Sequence, residues 1–356
     1  MMLLQKLMVM SNSFKIAVVG AGSWGTALAI LLGQKFNRVT LWAHRSAHSD
    51  DLNRERENKK YLPGISFPDS IYITDSLEWA VTGASVIVMV VPSHSYRDVF
   101  ERIIPYLGTN CRIVSAVKGI ENNSLMTMTQ VMEEVLSGYH KSVVPYRSCD
   151  NLGIELGVLS GPSFAKEVAN SVPTAVTIGF KNLEVAKEIQ NIFVTDFFRV
   201  YASTDLIGLE ISAALKNIIA IATGVCDGLG YGLNTRAALI TRGLAEITRL
   251  GITLGAEEST FSGLSGVGDL LLTCTGSLSR NRTVGLMLGE GKKLAQIKDE
   301  MQMVAEGIKT TRSVFELSKS LGIDMPILEQ VYKIIYEDKD CAEAVSDLLN
   351  RELKVE

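Results

Sequence analysis

The chain has 356 residues, of which 47% are hydrophobic and 21% charged, so it is long enough for two ordinary globular domains of roughly 100–200 residues each. A formal net charge of −4 excludes a global basic field for nucleic acid or anionic lipid, so any anion site has to be built locally. Five cysteines (Cys111, Cys149, Cys226, Cys274, Cys341) without a C-x-x-C pair and four histidines without ligand spacing predict no metal site and no disulfide framework, and fit a reducing, cytoplasmic setting.

Residues 1–13 contain a short apolar run, well below the roughly 20 residues of a membrane span. No basic leader precedes it, so it reads as an extension before the first strand and not as a signal peptide. No later segment reads as a span. Phe14 to Val19 is a β-rich run ending in glycine, Thr26 to Gln34 has a helical pattern, and Arg38 to Trp42 is a second strand. Further strands are predicted at Ser85–Val91, Cys111–Ala116, Glu155–Ser160 and Thr174–Ile178. These runs are continuously apolar, the pattern of strands buried on both faces of a parallel sheet. Alternation with helices then predicts a doubly wound, mostly parallel α/β domain over residues 1–203. From Leu206 onward the texture is helical: Leu206–Gly224, Thr235–Leu250, Arg280–Gly289, Lys309–Leu321, Ile327–Tyr336 and Cys341–Leu349. Residues 204–356 are therefore expected to form an all-α domain, with no Gly/Ser linker before it.

Gly20-Ala21-Gly22-Ser23-Trp24-Gly25 follows the first strand and opens a helix. The first glycine makes the turn, the second admits a pyrophosphate to the backbone, and the third lets helix and strand pack closely. In that context the G-x-G-x-x-G pattern predicts a Rossmann site for a nicotinamide dinucleotide whose pyrophosphate meets the helix N-terminus. The second strand ends in Ala43-His44-Arg45, where an acid for the ribose hydroxyls of NAD would ordinarily stand. Arg45, with His44, is instead expected to meet the 2′-phosphate of NADP; the competing reading is a solvated surface arginine.

Reduction of a ketone by hydride leaves an alkoxide that needs a positioned acid. Lys216 lies in an otherwise apolar helix whose same face carries Ser212, Ala213, Ile219, Ala220 and Thr223, mostly small enough for a ligand to come close. Desolvation there lowers a lysine toward a useful pKa, unless the side chain snorkels to solvent. Lys118 just past a strand end, the turn Ser160-Gly161-Pro162-Ser163, and Gly266–Cys274 leading into Ser279-Arg280-Asn281-Arg282 also stand out. Ser, Arg and Asn at a helix start can hold a phosphate, although each stretch on its own also fits ordinary turns and caps.

Together the motifs GAGSWGTALA, VVPSH, KGI, SGPSFAKEV, PTAV, KNIIAIATGVCDGLGYGLNTRAALITRGLAE, GVGDLLLTC, SRNR and VAEG resemble the bacterial-type NAD(P)-dependent glycerol-3-phosphate dehydrogenases, over about Phe14 to Leu349. The resemblance implies a helical domain of the 6-phosphogluconate dehydrogenase type and reduction of dihydroxyacetone phosphate to sn-glycerol 3-phosphate, the headgroup precursor of phospholipids. It further implies Lys216 as proton donor and acceptor, with Asp269 beside it, and Lys118, Gly161, Ser163, Asp269, Ser279, Arg280 and Asn281 as substrate contacts. The implied cofactor contacts are Ser23, Trp24, His44, Arg45, Lys118, Ala165, Arg280, Val304 and Glu306, beside Gly20, Gly22 and Gly25 of the loop; the cofactor is NADP or NAD, and the Arg45 reading favours NADPH. It implies a homodimer formed through the helical domain, and no nucleic-acid or integral membrane partner. The competing readings are a related two-domain hydroxy-acid dehydrogenase, disfavoured by SRNR and the long run after Lys216, and a non-catalytic dinucleotide sensor, which would not need Lys216, Lys118 and Arg280 together.

Overall fold

The computed structural model describes residues 14–143, 153–301 and 305–353, so the N-terminal extension, Cys149 and Val304 lie outside the described residues. The chain forms two compact units, residues 1–117 with 128–206, and residues 118–127 with 207–356. The segment Lys118–Thr127, which the sequence reading left with the strands, therefore belongs to the second unit. Its Ile120 is buried in that unit's apolar core, and Asn122 accepts a hydrogen bond from Ser313.

The first unit is built on an eight-stranded sheet. In chain order its elements are β1 (Ile16–Val19), α1 (Ser23–Gly33), β2 (Val39–Trp42), α2 (Ser46–Glu55), the hairpin β3 (Glu57–Asn58) and β4 (Leu62–Ser66), and β5 (Ile71–Thr74). There follow α3 (Leu77–Val81), β6 (Val86–Met89), α4 (Tyr96–Ile103), β7 (Arg112–Ser115), α5 (Met128–Val143) and β8 (Glu155–Ser160). The unit ends with α6 (Ala165–Ala169), β9 (Thr174–Phe180), α7 (Leu183–Phe193) and β10 (Phe198–Ser203). The sheet order is β10-β9-β8-β7-β6-β1-β2-β5, with β3 and β4 as a separate pair. The chain leaves β1 toward β2 and β5, then returns to place β6 on the other side of β1. The carboxyl ends of β1 and β6 thus flank the point where the strand order reverses, which is where open α/β sheets bind ligands.

Strands β1, β2 and β6 are buried at every position, which accounts for their unbroken apolar sequences. The sheet is parallel except between β8 and β9. A parallel crossover takes a dozen or more residues, usually with a full helix. Only the five-residue α6 stands between β8 and β9, so the chain turns straight back.

The second unit is helical: α8 (Leu206–Gly228), α9 (Leu233–Thr253), α10 (Glu258–Phe261), a π-turn at Leu264–Gly268, α11 (Asp269–Thr275), α12 (Arg280–Gly289), α13 (Leu294–Glu300), α14 (Glu306–Ser320), α15 (Pro326–Tyr336) and α16 (Cys341–Leu349). No strand occurs among its described residues. Helix α8 corrects the expectation that no segment could pass for a membrane span: its 23 residues have the necessary length and mean hydropathy, but 94% of its most apolar stretch is buried inside the unit, the position of a core helix.

Helix α8 lies against α12 with almost no side-chain spacing. A Cβ on Gly224 would stand 2.1 Å from the Arg282 carbonyl oxygen, one on Gly285 2.0 Å from that of Ile221, and one on Gly289 2.3 Å from that of Val225. Small residues one turn apart on both helices let the main chains touch. Elsewhere the buried carboxylate of Glu246 on α9 accepts the backbone N–H groups of Ile327 and Leu328, capping α15 across the core. Burial pushes this carboxyl up to about 7, against the pull of those two donors.

Candidate active site

In the first unit the glycine loop meets the demands of a dinucleotide. Gly20 has φ +125°, and a Cβ there would lie 2.6 Å from the Val90 carbonyl oxygen at the end of β6. A Cβ on Gly25 would lie 1.8 Å from the Gly20 carbonyl oxygen, so only glycine lets α1 approach β1 this closely. Gly22 instead faces open space, with no atom within 4 Å of where its Cβ would be. No side-chain hydrogen bond caps α1 at Gly22, and the positive end of the helix dipole there favours an anion. The Trp24 indole nitrogen is also buried without a partner. Open space at the second glycine, a helix start without a side-chain cap and the orphaned Trp24 indole N–H fit a pyrophosphate.

His44 and Arg45 are exposed at the carboxyl end of β2. Gly161, Ser163 and Ala165 follow the carboxyl end of β8. Gly161 is buried with φ +133°, and the Ser163 hydroxyl donates to its carbonyl at 3.0 Å.

In the second unit Lys216, Asp269 and Lys118 come together from positions far apart in the chain. The Asp269 carboxylate is 1% exposed and bridges two ammonium groups, with Oδ1 3.1 Å from Lys216 Nζ and Oδ2 2.9 Å from Lys118 Nζ. Lys216 is itself buried and does not snorkel. Burial lowers its pKa to about 8, with Asp269 raising it and Lys118 lowering it. Two cations on one anion leave a net positive charge, which suits an anionic substrate.

Thr273 completes the cluster and was missed as a site residue. Its hydroxyl accepts from Lys216 Nζ at 2.6 Å and donates to the Asp269 carbonyl at 2.6 Å. Its spacing of four from Asp269, one turn on the same helix face, was the available signal. Asn217 was missed as well. Its Nδ2 is 3.5 Å from the Lys118 carbonyl oxygen, and its Oδ1 accepts from Asn281 Nδ2 at 3.0 Å.

Around the start of α12 the roles differ from one residue to the next. The Ser279 hydroxyl caps the helix by accepting from the Arg282 N–H at 3.3 Å. Asn281 is buried and tied at both ends of its amide, its Oδ1 also accepting from the Gly307 N–H at 3.0 Å. The Arg280 side chain is exposed, with the Glu306 carboxylate as its electrostatic neighbour. The N–H groups of Arg280 and Asn281, at the first two helical positions, have no intrahelical acceptor. Arg282 is taken up elsewhere, sharing the Asp227 carboxylate with Arg236.

Comparison with known proteins agrees with this geometry. Residues 15–186 match the family described as NAD-dependent glycerol-3-phosphate dehydrogenase N-terminus, and residues 205–346 match the corresponding C-terminus. A glycerol-3-phosphate dehydrogenase [NAD(P)+] of Desulfotalea psychrophila is 59% identical over 341 residues, 96% of this chain and 98% of the relative. The crystal structure of glycerol-3-phosphate dehydrogenase from Coxiella burnetii is 39% identical with a TM-score of 0.87, covering 95% of this chain and 99% of that one. A yeast glycerol-3-phosphate dehydrogenase structure is 27% identical with a TM-score of 0.78, covering 96% and 100%. A Rossmann unit with an uncapped pyrophosphate loop, a helical unit with a buried lysine–aspartate–lysine cluster, and family matches over both halves lead to one conclusion: the chain belongs to the NAD-dependent glycerol-3-phosphate dehydrogenase family.

Proposed function

We propose that this chain reduces dihydroxyacetone phosphate to sn-glycerol 3-phosphate, reversibly and with NAD(P)H, and that Lys216 is the proton donor. The product is a precursor of glycerophospholipids. The observation that carries the assignment is the Lys216 ammonium, buried and held between Asp269 and Thr273 with its pKa lowered to about 8. A nicotinamide held at the glycine loop would supply the hydride for the C2 carbonyl carbon. The carbonyl electron pair moves to oxygen, and the alkoxide takes a proton from Lys216 Nζ, leaving a neutral amine. Asp269 fixes the direction of the ammonium and keeps it charged against burial. Lys118, the Arg280 guanidinium and the free N–H groups at the start of α12 supply the positive field for the substrate phosphate. Gly161 and Ser163 complete the substrate contacts. Gly20, Gly22, Ser23, Trp24, Gly25, Ala165 and Glu306 contact the dinucleotide, and Arg45 with His44 meets the 2′-phosphate of NADP.

The pH dependence tests this reading. Reduction needs the protonated lysine, so kcat/KM for dihydroxyacetone phosphate is expected to fall as pH rises through about 8. Oxidation of glycerol 3-phosphate needs the neutral amine, so it rises through the same pH. Profiles with no inflection between pH 7 and 9 in either direction would remove Lys216 from the proton transfer.

We also infer a cytoplasmic homodimer formed by the helical unit. The free cysteines fit a reducing compartment. Exposed Leu233 and Ile252 on α9 and Leu271 on α11 leave apolar surface for a second copy. Sedimentation at micromolar concentration should give twice the 38.8 kDa chain mass, and a monomer would overturn the inference.

A further inference from the structure

The hairpin β3–β4 lies outside the main sheet, and hydrogen bonds tie it to the glycine loop. Buried Asn58 donates to the Ala21 carbonyl at 3.0 Å and to the Thr26 hydroxyl at 2.7 Å. The Ser23 hydroxyl donates to the Tyr61 carbonyl at 2.7 Å. The Tyr61 N–H donates back to Asn58 Oδ1 at 3.2 Å, which fixes the tip of the hairpin. The Tyr61 ring packs edge-on against His48 of α2, with centroids 5.4 Å apart, and Lys60 Nζ stands 5.2 Å from the centre of the same ring. The His48 Nε2 is buried without a partner, and the charged groups that act on the ring are Lys60, Arg45 and Asp51.

The cations of this stretch fall into two classes. Arg54 is paired with Asp51 and Glu55, Lys59 with Glu55, and Arg56 donates to the Ile71 and Pro68 carbonyls. Arg45 and Lys60 are exposed and have no carboxylate partner among the described residues. Both act on the His48 ring, and the hairpin that carries Lys60 is fastened to the glycine loop through Asn58 and Tyr61.

We infer that Lys60 is a second residue selecting the 2′-phosphate of NADP, sharing the neighbourhood of His48 with Arg45. This rests on the reading of Arg45 as a 2′-phosphate ligand and extends it to the hairpin. A phosphate carries about −1.5 to −2 charges at neutral pH, so a single exposed arginine leaves it undercompensated. A lysine held on a braced turn supplies the second charge with little loss of side-chain freedom on binding. The hairpin thereby acts as the outer wall of the adenosine site, and its attachment through Asn58 holds that wall in register with the pyrophosphate loop.

The test is titration calorimetry with 2′,5′-ADP and 5′-AMP, which differ only in the 2′-phosphate. The quantity read is the ratio of the two dissociation constants, and the unchanged 5′-AMP affinity reports an intact fold. Lys60→Ala should cut the preference for 2′,5′-ADP about tenfold, the scale of one charge-assisted hydrogen bond. Lys60→Arg should restore most of it, and Lys59→Ala, whose lysine is held by Glu55, should leave it alone. A wild-type ratio in Lys60→Ala, with Arg45→Ala reducing the preference, overturns the role of Lys60 and spares that of Arg45. No preference in the wild type, or no effect of Arg45→Ala, overturns the Arg45 reading and this inference with it.

Discussion

Replacing Lys216 by alanine is expected to lower kcat for reduction of dihydroxyacetone phosphate by about 10²–10⁴-fold, the usual worth of a positioned acid, while NADPH binding stays within a factor of two. The substitution removes one of two ammonium groups from Asp269, but the carboxylate keeps Lys118 at 2.9 Å and is not left as an unpaired buried charge. The fold should therefore survive, so the loss can be read as chemistry. Small primary amines should recover part of the rate, because they refill the space with a proton donor of suitable pKa. Lys216→Arg should not recover it, since a guanidinium stays protonated through the working range. Near-wild-type turnover in Lys216→Ala would exclude the lysine from the reaction.

Asp269→Asn tests the other half of the cluster. The amide keeps the size and some hydrogen bonding of the carboxylate but removes the charge that holds Lys216 protonated. Burial and the nearby Lys118 both lower the Lys216 pKa, and Asp269 opposes them. Without it the inflection near 8 should move to lower pH, so that at pH 8 little of the acid form remains. A kcat loss of about a hundredfold at pH 8 is expected. It should be partly recovered as the pH is lowered toward 6. That recovery separates a loss of charge from a mere loss of packing, which would not respond to pH. Wild-type kinetics at every pH would take Asp269 out of the site.

Much of this arrangement can be read in the amino-acid sequence, and the exceptions share physical causes. Strands β1, β6, β7 and β8 announce themselves because burial on both faces demands unbroken apolar runs. The edge strands β5 and β10 do not. In each, exposed residues such as Tyr72 or Arg199 alternate with buried ones over a short stretch, which gives little signal against a loop. The hairpin strand β4 contains Pro63 and Gly64, residues that argue against a strand wherever the pattern is read locally. Lys216 is visible because a lysine in an apolar, small-residue helix is a local contradiction. That it meets both Asp269 and Lys118 cannot be read from spacing, because those two are 151 positions apart and only the fold joins them. Asn281 is the reverse case. Its place in a helix start suggests a ligand contact, whereas the structure uses its amide to tie α8 to the start of α14.

The main-chain contact between α8 and α12 has a consequence for substrate choice. Lys216 lies on α8, the N–H groups proposed to meet the phosphate open α12, and the two helices meet at Gly224, Gly285 and Gly289 with no side chain between them. On that proposal the main-chain part of the span from Lys216 to the start of α12 is fixed by the helix crossing, like the gap of a caliper. The Lys216 side chain, held by Asp269 and Thr273, adds little adjustment to that span. A carbonyl one carbon further from its phosphate would miss either the ammonium or the helix end. Discrimination by chain length is therefore expected to depend on the helix crossing, at glycines to which no substrate contact is assigned.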